Sequence, residues 1–208
     1  MLRILESVGC QFEITGVDNL RRVSGPCMLI GNHMSTLETG VLPCIIQPVK
    51  EVTFVVKQSL VDYPIFKYVM RSRDPIAISQ INPREDLKTM LEGGADRLAR
   101  GISLVVFPEG ERRKAFDPAE FNTIGVKLAG RAGVPLLPIA LETSAWPRGG
   151  IVSDVARINP QRKVRFAIGE PMTVHGRGAD EHQAVIAFIQ QHLATWRAED
   201  AATAANGT

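Results

Sequence analysis

The 208-residue sequence holds only three cysteines, Cys10, Cys27 and Cys44. They are odd in number, set among apolar residues and without ligand-like spacing, which argues against a disulfide framework or a zinc site and suits thiols in a reducing compartment. Charge of one sign is lacking too. Lys and Arg number 24 against 22 Asp and Glu, a formal +2, too little for a protein whose affinity rests on releasing counterions from nucleic acid. No apolar run is long enough to span a bilayer, since the windows Val41 to Val49 and Leu60 to Met70 are broken by Pro43, Pro48, Asp62, Pro64 and Lys67. The opening MLRILESVGC lacks the apolar stretch and cleavage site of a secretory signal, and no internal repeat or linker divides the chain. These absences predict one domain that is not exported and touches membranes only peripherally.

What is present is an alternation of short strands and helices. QFEITG (11–16) alternates apolar and polar residues as an edge strand does, and CMLIGN (27–32) reads as a buried strand, with Arg21 and Arg22 on a loop between them. A helix is expected from about Ser35, then strands at VTFVVK (52–57) and PIAIS (75–79). Asn82, Pro83 and Glu85 supply the cap, first-turn proline and acidic third position of a helix ending near Gly101. ISLVVF (102–107), VPLLPIAL (134–141) and KVRFAIG (163–169) read as further strands, with helices at Thr123 to Arg131 and Ala179 to Arg197. The pattern predicts a single α/β domain over residues 1–198, its largely parallel sheet flanked by helices, and a frayed tail over 199–208. Trp146 and Trp196 are expected as core or surface anchors.

Two constellations carry chemistry. His33 follows the CMLIGN strand, and Glu38 stands five residues on. An imidazole can take a proton from a hydroxyl while a carboxylate on its other nitrogen holds the tautomer. Ser35 and Glu38 equally have the spacing of a capping box, in which Glu38 only returns a hydrogen bond to the backbone. The second is FPEGERRK (107–114), where a buried strand delivers Glu109, Gly110, Arg112, Arg113 and Lys114 into one loop. It suits an anion through guanidinium forks, or a solvated charge run. Pro135 and Pro138 by themselves fit strand-edge prolines.

In order, NHMSTLE (32–38), VKQSL (56–60), FPEGERR (107–113) and VPLLPIA (134–140) resemble the motifs of the lysophospholipid and glycerol-phosphate acyltransferase family, whose bacterial members include 1-acylglycerol-3-phosphate acyltransferases. The resemblance covers most of the chain and implies the glycerol-phosphate acyltransferase-like fold. It implies that His33, with Glu38, is the general base that deprotonates a lyso-lipid hydroxyl for attack on the thioester of acyl-CoA or acyl-carrier protein, without metal or resident cofactor. Glu109, Gly110 and Arg112, with Arg113, Lys57 and Gln80, belong by resemblance to the substrate site, and Pro135 shapes the pocket. Three departures bear on the acceptor: Glu38 replaces the usual Asp, Gln80 stands where an Arg is typical, and Glu111 stands where a Thr is usual. They leave open a phosphate-free acceptor such as a lyso-aminolipid, a lipid-binding relative without turnover, and a hydrolase using water. The family's lipid substrates imply a peripheral enzyme on the cytoplasmic membrane face, for which the apolar, base-flanked stretch Ser59 to Met70 is the candidate contact, though its periodicity equally fits a wholly buried core helix.

Overall fold

Aliphatic and β-branched runs, each closed by turn residues, form seven strands in the computed structural model, which describes residues 2–7, 9–62, 73–146, 159–160 and 162–206. In chain order the elements are α1 (Leu2–Ser7), β1 (Phe12–Thr15), α2 (Val17–Arg22), β2 (Met28–Gly31), α3 (Leu37–Ile46), β3 (Val52–Lys57), α4 (Gln58–Asp62) and β4 (Ile76–Ile78). They continue with α5 (Pro83–Ala99), β5 (Ser103–Val106), a 3-10 turn (Pro118–Glu120), α6 (Ile124–Ala132), β6 (Leu136–Glu142), β7 (Val164–Ile168) and α7 (Ala179–Asn206). The sheet order is β1-β7-β6-β2-β5-β3-β4. Neighbouring strands run parallel except β6 and β7.

The side-chain period of two divides the core between the sheet's faces. Leu29, Val105 and Leu137 pack with Leu20, Val41, Leu42 and Phe54 on one face, while Met28, Ile30, Leu104, Val106 and Leu136 meet Leu98, Leu128 and Ile189 on the other. Because both faces are covered, the central strands are buried throughout, as continuous apolar runs require. On the second face α5 and α6 approach closely, and a Cβ at Gly94 would lie 2.4 Å from Leu128 Cδ2. Pro138 is not on an edge. It lies in β6 between β2 and β7, where its carbonyl accepts the Gly169 N–H at 2.8 Å.

Two sequence expectations are corrected here. Arg21 and Arg22 end helix α2 rather than lying on a loop, because buried Leu20 anchors that turn to the core and Arg22 pairs with Glu170 at 2.7 Å. Residues 199–206 continue α7 instead of fraying. The cause is Arg165 on β7, whose 1% exposed side chain reaches Asp200 at 2.7 Å, Glu199 at 3.5 Å and Glu13 at 3.1 Å. The stretch Ser59 to Met70 lies largely outside the described residues. No helix among the described residues is long and apolar enough to cross a membrane.

Candidate active site

Parallel strands deliver their carboxyl ends to one edge of a sheet; along this edge Lys57 ends β3, and the segments that leave β2, β4, β5 and β6 carry His33, Gln80, Glu109 and Thr143. Asn32 starts the assembly. Its side-chain amide donates to the Leu141 carbonyl and accepts the Leu141 N–H, both at 2.9 Å. The amide thus stands in for one more residue of strand pairing while the Asn32 backbone turns away into the histidine loop.

His33 Nδ1 lies 2.5 Å from Glu38 Oε2, and its ring stacks on Phe107 with centroids 4.4 Å apart and planes 8° from parallel. Glu38 is wholly buried. Its other oxygen accepts the Met34 N–H at 2.9 Å, the Ser35 N–H at 2.8 Å and the Thr143 hydroxyl at 2.5 Å. Ser35 Oγ returns a bond by accepting the Leu37 N–H at 3.2 Å and donates to Thr143 Oγ1 at 2.9 Å. The two sequence readings of Glu38, helix cap and partner of the imidazole, are therefore both realised, one on each carboxylate oxygen. The extra methylene relative to Asp gives it that reach. An Nδ1–H donated to Glu38 leaves Nε2 with the lone pair that a base needs.

The FPEGERRK loop divides its charges between the two sides of His33. Glu109 turns inward: it is buried, and its Oε2 accepts the His33 N–H at 2.7 Å. Burial pushes its carboxyl up to about 7, against the opposing pull of that backbone bond and of the His33 and Arg113 charges. The Arg113 N–H donates to the His33 carbonyl at 2.8 Å, and its guanidinium reaches Glu120 at 3.3 Å. Neither Glu109 nor Arg113 lines the cavity. Their observed place is behind the histidine, clamping its peptide from both sides.

In front of His33 opens a cavity of about 1020 Å³. Of the residues expected in the substrate site, it brings together His33, Lys57, Gln80, Gly110 and Arg112. Arg112 Nη1 donates to Thr36 Oγ1, and Gln80 Nε2 donates to the Gly110 carbonyl at 3.2 Å, tying two rim loops together. Gly110 has φ 69°, and a Cβ there would meet nothing within 4 Å, so the turn needs glycine for its backbone conformation rather than for space. Pro135 is not part of the cavity. It immediately precedes β6, with its carbonyl accepting the Met28 N–H at 2.9 Å, and so lies at the opposite edge of the parallel pair from His33. Sequence reasoning missed Thr143, 105 positions from Glu38 at the end of the neighbouring strand β6, and the cavity-lining Lys127 and Arg131 on α6. The spacing of four between those two cations was the available signal. Among the described residues no group of three or more His, Cys, Asp or Glu could hold a metal ion.

Fold and site together define an α/β enzyme with a carboxylate-held histidine at the strand ends. A family model described as Acyltransferase matches residues 11–142, a span that contains all four motifs. The chain is 30% identical over 192 residues to a 1-acyl-sn-glycerol-3-phosphate acyltransferase of Pseudomonas aeruginosa, covering 92% of this chain and 69% of that protein. It is 27% identical over 174 residues to a chloroplastic 1-acyl-sn-glycerol-3-phosphate acyltransferase of Arabidopsis thaliana, covering 82% of this chain but only 45% of the relative. The crystal structure of the 1-acyl-sn-glycerophosphate acyltransferase PlsC of Thermotoga maritima shares the fold, with TM-score 0.72 at 20% identity over 95% of this chain and 76% of that one. The chain belongs to the acyltransferase family, and it is an O-acyltransferase.

Proposed function

We propose that the protein moves a fatty acyl group from acyl-CoA or acyl-carrier protein to the free hydroxyl of 1-acylglycerol-3-phosphate, with His33 as general base. The observation that carries this reading is the His33–Glu38 pair at 2.5 Å, with the imidazole on the wall of the cavity. The acceptor hydroxyl gives its proton to His33 Nε2 as its oxygen attacks the thioester carbonyl carbon. Collapse of the tetrahedral intermediate breaks the C–S bond, and the imidazolium returns the proton to the departing thiolate, leaving an ester and a free thiol. Glu38 keeps the imidazolium oriented and compensated. For the acceptor phosphate the rim offers Lys57, Arg112, Lys127 and Arg131 against Asp86 and Glu111, an excess of cation suited to a phosphate monoester.

Release of thiol from acyl-CoA, dependent on added lysophosphatidate, tests the reading. His33→Ala should lower the rate by about 10²- to 10⁴-fold while the protein stays folded; retention of half the wild-type rate would remove the base assignment. A second reading, transfer to a phosphate-free lyso-lipid, draws on Gln80 and Glu111 at the rim. Arg112→Ala discriminates, because a charge-assisted hydrogen bond contributes about 1.5–3 kcal/mol, or about tenfold or more in kcat/KM. On the phosphate reading lysophosphatidate suffers that loss and a phosphate-free acceptor does not.

A further inference from the structure

The cavity straddles the end of the sheet. Thr36 and Thr39, at the head of α3, line it on the face that α3 covers, whereas Leu87, Met90 and Leu91 of α5 and Ile124, Lys127 and Arg131 of α6 line it on the other. His33 stands at the strand ends, where the two limbs meet. A reaction between two substrates calls for such an arrangement, with each partner held on its own side of the imidazole.

The four cations of the rim divide in the same way. Arg112 donates to Thr36 Oγ1 and so belongs to the α3 side, next in sequence to the Arg113 N–H that holds the His33 carbonyl. Lys57 shares an adjoining hollow with Asp62 and Glu111, and neither Lys127 nor Arg131 lines that hollow. These two stand three and seven residues beyond Ile124, on one side of α6, which puts Arg131 about 10 Å along the helix from Ile124. Both are exposed. Among the described residues neither side chain takes part in a hydrogen bond or ion pair. Of the carboxylates on the cavity wall, Glu111 sits with Lys57, and Asp86 already accepts the Ser79 N–H at 2.8 Å and the Ser79 hydroxyl at 3.0 Å.

The separation between a phosphate and the reacting atoms decides which substrate each set of cations can serve. In 1-acylglycerol-3-phosphate the free hydroxyl and the phosphate ester sit on adjacent carbons. That phosphate therefore stays near the imidazole, where Arg112 stands in the loop beside it. In a thioester donor the whole pantetheine arm lies between the sulfur and the first phosphate, so the cations that meet it must be remote from His33. We propose that Lys127 and Arg131 bind the phosphate of the acyl donor at the far end of its pantetheine arm, with the arm running from His33 along the cleft between α5 and α6. Coenzyme A and a carrier protein's phosphopantetheine group both offer that chemistry. The inference rests on the thioester-donor reading above, and it leaves Arg112 and Lys57 to the acceptor.

Calorimetric titration of the full chain with coenzyme A, with no acceptor and no turnover, tests the site directly. Joint replacement by Lys127→Gln and Arg131→Gln should weaken that binding by about tenfold or more, as loss of charge-assisted contacts implies. Both side chains are exposed, so the melting temperature should stay at the wild-type value. In transfer assays the same protein should show a KM for acyl-CoA raised by about tenfold or more, with the KM for lysophosphatidate unchanged. Acyl-pantetheine, whose arm ends without phosphate, should lose far less. A loss shared by acyl-CoA and acyl-carrier protein places the contact on the phosphate common to both, and a loss with acyl-CoA alone places it on the nucleotide's phosphates. Unchanged coenzyme A affinity in the joint variant overturns the proposal, as does an equal loss with acyl-pantetheine. A KM raised for lysophosphatidate and not for acyl-CoA would return the α6 cations to the acceptor, and a loss with the carrier donor alone would assign them to the carrier's own surface; either result sinks the donor site. A wild type that binds coenzyme A through Lys127 and Arg131 yet transfers no acyl group keeps the site and removes the functional reading instead.

Discussion

A single buried carboxylate holds both the shape and the chemistry of the histidine loop. Glu38 satisfies four donors, one of them the imidazole. A glutamine offers one carbonyl oxygen and an NH₂ group in the same space, so the NH₂ must confront at least one of those donors. Glu38→Gln should therefore lose about 10²-fold in rate and about 1–3 kcal/mol in stability. Thermal unfolding alongside initial rates separates the two losses, and a rate loss with no stability loss would show that the capping bonds are unimportant. Glu109 makes a different prediction. Its folded carboxyl titrates near 7 rather than 4.5 because it is buried, so between those values the folded state holds more protons than the unfolded one. Its contribution to stability is complete below 4.5 and is lost as pH rises through about 7, amounting to about 3 kcal/mol across the window. Glu109→Gln keeps an acceptor for the His33 N–H and should flatten that slope in urea denaturation series; an unchanged slope would place the titration elsewhere.

At the scale of elements, Asn82 accepts the N–H groups of Arg84 at 3.2 Å and Glu85 at 3.5 Å at the start of α5. Asn82→Ala should cost about 1 kcal/mol, read as a shift in the denaturation midpoint. That helix was legible in the sequence because cap, proline and acid are local signals, and the strands were legible because both their faces are buried. The substrate loop was less so. A strand ending in Pro108 and Glu109 does not reveal whether the next side chain turns toward the cavity or under the histidine, and Glu109 is decided by its contact with a residue 76 positions away. That Pro135 lies away from the cavity was illegible for a related reason: adjacency to a family motif carries no information about which edge of the sheet a residue occupies. The contact between His33 and Glu38 was foreseeable because it spans only one loop. Thr143, which completes that pair, is separated from Glu38 by 105 positions and comes within reach only when β6 aligns beside β2.

At the scale of the whole molecule, the end of α7 is fastened to the opposite side of the chain. Arg165, fully buried, is paired with both Asp200 and Glu13, so removing residues after Arg197 would leave a buried guanidinium with only part of its compensation. Asp200 is half exposed, so water recovers part of the loss, and with Glu13 kept as a partner the cost should be about 1–3 kcal/mol. Such a truncation should lower the melting temperature and reduce activity only in proportion to the unfolded fraction. A truncated protein of unchanged melting temperature would show the clamp to be dispensable.

Asn32 gives the assembled site a reporter that needs no substrate. The Leu141 amide on β6 is protected from solvent by a side chain of the histidine loop, not by a neighbouring strand's carbonyl. Its hydrogen exchange with deuterated water thus reads the closure of that loop against β6 directly, amide by amide, in a protein that has neither ligand nor turnover. Slow exchange at Leu141 means that the turn carrying His33 is in place. Faster exchange there, with neighbouring β6 amides still slow, would reveal a molecule whose sheet persists while its active loop has opened.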